Sequence, residues 1–136
     1  MNIKRLIYLL LLLPVLSACE HAFPNDDLDF YWRLKSVEYA SGETVQVDGD
    51  VMFGFARHMV LIEDLKNNFT RHGVTVDTGD SLKLDFSMYP DTETAYILTG
   101  LGRWGIDSTV TVFKVEYPKD RLILSNDKVV LRLRKW

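Results

Sequence analysis

The chain holds a single cysteine, Cys19, which excludes an internal disulfide and any zinc or iron–sulfur site built on several cysteines. It has no excess of positive charge: 16 Lys and Arg stand against 19 Asp and Glu, a formal net charge of −3. Nucleic-acid binders usually carry a basic face, and this composition offers no such footprint. The three histidines, His21, His58 and His72, form no H-E-x-x-H pair, so no metal site is expected. A G-x-S-x-G elbow is also missing. No acid, base, nucleophile and oxyanion set can be assembled, and the expectation is a non-enzyme that needs no cofactor. The one continuous apolar run, Leu6 to Leu13, is shorter than the roughly 20 residues that span a bilayer. What is present is 136 residues, 47% of them hydrophobic. That suffices for one domain with a modest core and is too apolar for disorder.

The first residues read as an address. Lys4 and Arg5 precede the apolar run, and Pro14-Val15-Leu16-Ser17-Ala18-Cys19 follows it, which is the order of a secretory signal. Leu16-Ser17-Ala18-Cys19 resembles the lipobox of bacterial lipoproteins, in which the cut falls before a cysteine that then carries the acyl chains. The resemblance implies a signal peptide over 1–18 and a lipid-bearing Cys19. Two or more acyl chains give a durable anchor where one gives a reversible contact. The leader would take two of the 16 basic residues and none of the 19 acidic ones, leaving an acidic body. Such a body is repelled by anionic lipid, so the expected membrane contact is the acylated cysteine alone. Residues 19–28 have little periodicity and read as a tether, with the domain proper over 29–136.

From Leu28 onward the pattern has period two. Apolar alternation marks strands over 30–39, 51–56, 59–65, 74–77, 82–87, 109–117, 121–124 and 129–136. Turn residues stand between them, among them Ser41-Gly42, Asp48-Gly49, Asn67-Asn68, His72-Gly73, Thr78-Gly79-Asp80 and Pro118-Lys119-Asp120. Many short strands punctuated in this way argue for an all-β sandwich or barrel. Val110 and Val112 alternate out of phase with Phe113, Val115 and Tyr117, which predicts a bulge inside that strand. Asp91 could cap a short helix near 91–101, ending at Gly100 or Gly102 and plugging one barrel end, although Tyr96-Ile97-Leu98 would also serve as a strand.

The lipobox, the acidic tether, Tyr31-Trp32-Arg33-Leu34, Ser81-Leu82-Lys83-Leu84-Asp85-Phe86 and Val112-Phe113-Lys114-Val115-Glu116-Tyr117 together resemble the small lipocalin-like lipoproteins of Bacteroides-type envelopes. That resemblance implies an up-and-down antiparallel β-barrel of about eight strands, lipid-anchored in the cell envelope, with the outer membrane as the expected site. In lipocalins proper, a first-strand tryptophan is covered by an arginine from near the end of the barrel. Trp32 matches the first role, and Arg132 or Arg134 is expected to supply the second as a cation–π contact.

Few other patterns carry chemistry. Gly100-Leu101-Gly102-Arg103-Trp104-Gly105 spells G-x-G-x-x-G but precedes a strand rather than a helix, so it reads as a turn. Asp48-Gly49-Asp50 and Asp77-Thr78-Gly79-Asp80 lack the ligand spacing of a calcium loop and also read as turns, and Glu63-Asp64 as a solvent-facing strand end. His58 and His72 read as surface turn residues. Large rings are the one positive hint. Trp32, Phe53, Phe55, Phe86, Tyr96, Trp104 and Phe113 could line or rim an apolar pocket in a barrel just wide enough for one small ligand, or could simply be core. Trp104, between glycines, is the ring expected to be exposed or on the rim. Two functions follow from this reading: binding of a small apolar or amphipathic ligand, or a protein-interaction or inhibitor module displayed on the envelope.

Overall fold

A computed structural model describes residues 28–48, 50–88 and 99–136. The expected leader, nearly all of the tether, Tyr96 and most of the expected helix lie outside the described residues. Of that helix, the described Thr99 to Leu101 form a turn.

The strands are β1 (Tyr31–Tyr39), β2 (Thr44–Gln46), β3 (Val51–Ala56), β4 (Met59–Asp64), β5 (Phe69–Asp77), β6 (Ser81–Asp85), β7 (Val110–Glu116), β8 (Arg121–Ser125) and β9 (Val129–Lys135). Every pairing is antiparallel, and β9 returns to pair with β1. β2 and β3 lie end to end along one edge of β1, β2 on Ser36–Glu38 and β3 on Tyr31–Arg33. The nine segments are therefore an eight-stranded, closed, up-and-down barrel. Closure removes the exposed edges that an open sheet would present.

Period two decides what fills it. Leu34, Phe53, Ile62, Leu82, Leu84, Phe113, Leu122, Leu124 and Leu131 all point inward and are fully buried. A void large enough for one water among them would leave accessible area on these side chains, and they have none. The interior is packed by the protein's own residues. The near end of the barrel, where β1 begins and β9 finishes, is shut by Leu28 and Trp32, whose Nε1 donates to the Leu28 carbonyl at 3.1 Å. At the far end, the β6–β7 connection turns inward and buries Leu101, Trp104 and Ile106.

Two local expectations need correction. β7 is regular, with Thr111, Phe113 and Val115 inward and Val110 and Val112 on the outer wall. The irregularity sits in β1, where the register with β9 shifts between Leu34 and Ser36 and leaves both Ser36 and Val37 buried. His72-Gly73 is no turn but the middle of β5, with His72 exposed. Gly73 is there because the buried Phe86 ring lies across it: a Cβ would sit 2.8 Å from that ring and 3.1 Å from the Asp85 carbonyl. Gly73→Ala is accordingly expected to lose about 1–3 kcal/mol, the usual result of overpacking. A urea midpoint unchanged from the parent would show that Phe86 is free to move.

Candidate functional site

The far end carries a cleft of about 310 Å³ between the gap separating β2 from β3, the β4–β5 turn and the β6–β7 connection. Val37, Val45, Val47, Val51 and Trp104 form its apolar side; Asp48, Asp50, Asp64, Lys66, Asn67 and Arg103 form its polar rim. Its size is at the lower limit for a small-molecule site.

Arg103 organises this end. It stands in a short 3-10 turn, Gly102–Trp104, closed by Gly105 at φ 74, where a Cβ would lie 2.5 Å from Val129. Its guanidinium lies 4.1 Å over the Trp104 ring and donates to Asp64 Oδ2 at 2.8 Å, while its carbonyl accepts the Tyr39 hydroxyl at 2.9 Å. Asp64 is 3% exposed and also accepts from the Asn67 backbone N–H at 3.2 Å and from Asn67 Nδ2 at 2.7 Å. Burial alone would raise the Asp64 pKa. The Asn67 hydrogen bonds and the Arg103 charge outweigh it and hold the carboxyl below its ordinary value. Asp64 is thus an anion fixed inside the mouth, contrary to the expectation that it faces solvent. Inward parity at the end of β4 put it there, and a cation 39 residues away made the position tolerable.

Trp104 is not exposed, although it does stand at the barrel mouth. It is 3% exposed, edge-on to Phe53 at 5.9 Å and to Phe69 at 6.1 Å, so it plugs the barrel while one side of it lines the cleft. Trp32, Phe53, Phe55, Phe86 and Phe113 are core rather than cleft residues. Arg132 and Arg134 face outward, away from the inward Trp32, and Arg132 instead pairs with Glu38 at 2.9 Å. The cation on the inward parity of β9 is Lys135, paired in register with Trp32, and its Nζ lies 3.6 Å over the Phe30 ring. Neither arginine covers Trp32, and Leu28 shuts that end of the barrel instead.

The lipocalin-like domain family matches residues 14–136, nearly the whole chain. The chain belongs to that family. An uncharacterized protein from Bacteroides eggerthii DSM 20697 shares the fold at a TM-score of 0.65 and 20% identity, over 81% of this chain and 100% of that one. A lipocalin-like protein from Bacteroides uniformis ATCC 8492 does so at 0.61 and 22%, over 81% and 99%. No curated protein matches the sequence. The lipocalin-like barrel implied by the resemblance is therefore the fold, one of the two all-β architectures that the strand pattern allowed, and its solved neighbours extend no further than that.

Sequence reasoning missed most of the cleft. β2 is three residues long and wholly exposed, too short for alternation to register, and the Arg103–Asp64 pair joins segments with no local signature. Gly102-Arg103-Trp104-Gly105, set aside as a failed nucleotide motif, and Asp48-Gly49-Asp50, set aside as a failed calcium loop, marked the place.

Proposed function

We propose that this lipocalin-like chain is a lipid-anchored envelope protein whose far-end cleft binds a small amphipathic molecule without transforming it. The observation that carries the reading is the cleft itself. It sets a valine and tryptophan side against a rim of carboxylates and cations, on a barrel whose interior has no room for a ligand. Apolar area supplies affinity and a few placed polar groups fix orientation, the usual division in small-molecule sites. Asp48 and Asp50 beside Asp64 favour a ligand with a hydrogen-bond-donating or cationic end. Attachment through an acylated Cys19 is supported by the lipobox spelling, and the outer membrane by the resemblance to the small lipoproteins of Bacteroides-type envelopes.

Two measurements test this. Native mass spectrometry of the barrel after incubation with an envelope lipid extract is expected to show a bound small-molecule mass. That mass should disappear in Val45→Trp, which fills the cleft from the exposed β2 and leaves the core untouched. Unliganded protein throughout would sink the binding reading. For the anchor, palmitate labelling in cells should be present in the parent and absent in Cys19→Ala. The rival reading, a docking module for another protein, draws on exposed Tyr31 and Leu65 beside Met52 on the outer wall; reproducible crosslinking to one protein through Leu65 would favour it.

A further inference from the structure

The net charge conceals a local concentration of cations. Arg33 on β1 stands directly opposite Arg134 on β9, and Arg134 directly opposite Arg121 on β8, so three arginines form one row across three neighbouring strands. Lys35 and Lys135 flank the row, and with Arg33, Arg134 and Trp136 they line an outward groove of about 330 Å³. Among the described residues, none of these five cations is in an ion pair, unlike Arg103 with Asp64, Lys114 with Glu116, Lys128 with Asp107 and Arg132 with Glu38. Like charges directly opposite one another destabilise a sheet, and a chain with more acids than bases had carboxylates to spare for this row.

Exposed rings stand at the same end of the barrel, Trp136 in the groove itself. Trp136 is 72% exposed with the Arg33 guanidinium 4.1 Å over it, and Phe30 and Tyr31 are also exposed. Arginine forks match phosphate oxygens, and exposed Trp and Tyr suit the headgroup layer of a bilayer. Position argues the same way. The Trp136 N–H donates to the Tyr31 carbonyl at 3.0 Å, so the groove adjoins the start of β1, where the chain arrives from Cys19. Eight residues lie between Cys19 and Leu28, and the nine steps from one to the other reach at most about 30 Å when extended.

We propose that this basic, aromatic wall docks the barrel onto an anionic, phosphate-bearing lipid surface, laying the near end on the membrane and leaving the far-end cleft exposed. The placement beside the anchor rests on the reading of Cys19 given above; the recognition of anionic lipid does not. It departs from the expectation, drawn from net charge alone, that the acylated cysteine is the sole membrane contact.

The test uses residues 20–136, which lack the acylated cysteine and retain the whole barrel, since β1 and β9 close it within 31–135. Co-sedimentation is measured with vesicles of phosphatidylcholine alone and with a third of phosphatidylglycerol added. Binding is expected only to the latter, weakened by salt, and reduced at least tenfold in the combined Arg33→Gln, Arg121→Gln and Arg134→Gln variant. Lys114→Gln, on another part of the wall, should bind as the parent does. The triple variant is also expected to melt no lower than the parent, because it relieves repulsion; a structural role would lower Tm. Equal partition to both vesicle types, undiminished binding by the triple variant, or capture of a soluble acidic protein without vesicle binding would overturn the proposal. Because the tested chain has no Cys19 and the three substituted arginines lie outside the cleft, its outcome is separable from palmitate labelling and from the Val45→Trp result.

Discussion

Trp104→Ala is expected to remove about 3–5 kcal/mol of stability, the usual range for truncating a buried tryptophan. The ring is 3% exposed and wedged against Phe53 and Phe69 at the far end of the barrel. Truncation would leave a void under the mouth and free the Arg103 guanidinium that stacks on the ring. A domain of this size has about 5–15 kcal/mol in total, so the variant should be marginal, with Tm lowered by about 10–25 °C. Trp136→Ala is the control: the same residue type, 72% exposed, should change stability by less than about 1 kcal/mol. Paired urea melts decide. If the two tryptophans cost the same, the β6–β7 connection is not part of the core.

The contrast between these rings shows what could be read in advance. Period-two alternation locates inward residues well: Leu82, Leu84 and Phe86, or Leu131 and Leu133, are buried as their spacing requires. Alternation does not say whether an inward ring touches a ligand or another ring, because the interior of an eight-stranded barrel is a few side chains wide. That is why Trp32, Phe53, Phe55, Phe86 and Phe113 were plausible as lining and turn out to be filling. A glycine invites error for a related reason. Gly105 has the positive φ that a turn needs, whereas Gly73 is required by a ring brought in from β6–β7. One cause is local and legible; the other is tertiary. The outer wall repeats the lesson, since the Arg33–Arg134–Arg121 row exists only through register.

Asp64→Ala carries the second large effect, about 2–3 kcal/mol. A fully buried ion pair broken at one partner loses about 3–5 kcal/mol. Here the Arg103 side chain keeps 41% of its exposure and can rehydrate, which reduces the loss. The two Asn67 hydrogen bonds that shape the β4–β5 turn go with the carboxylate. The pair also fixes a pH dependence. The folded-state pKa of Asp64 lies below the ordinary 3.8, so folding is favoured by the ionised form. That stability is fully present above the unfolded-state value and is lost as pH falls below 3.8 toward the folded-state value, because the unfolded chain binds the proton first. The Tm difference between the parent and Asp64→Asn should therefore be constant from neutral pH down to about pH 5 and shrink below about pH 4. A difference that stays constant to pH 3 would mean that Asp64 contributes by shape alone. In that case the polar rim of the cleft, which depends on Arg103 being held over Trp104 by this charge, would need another explanation.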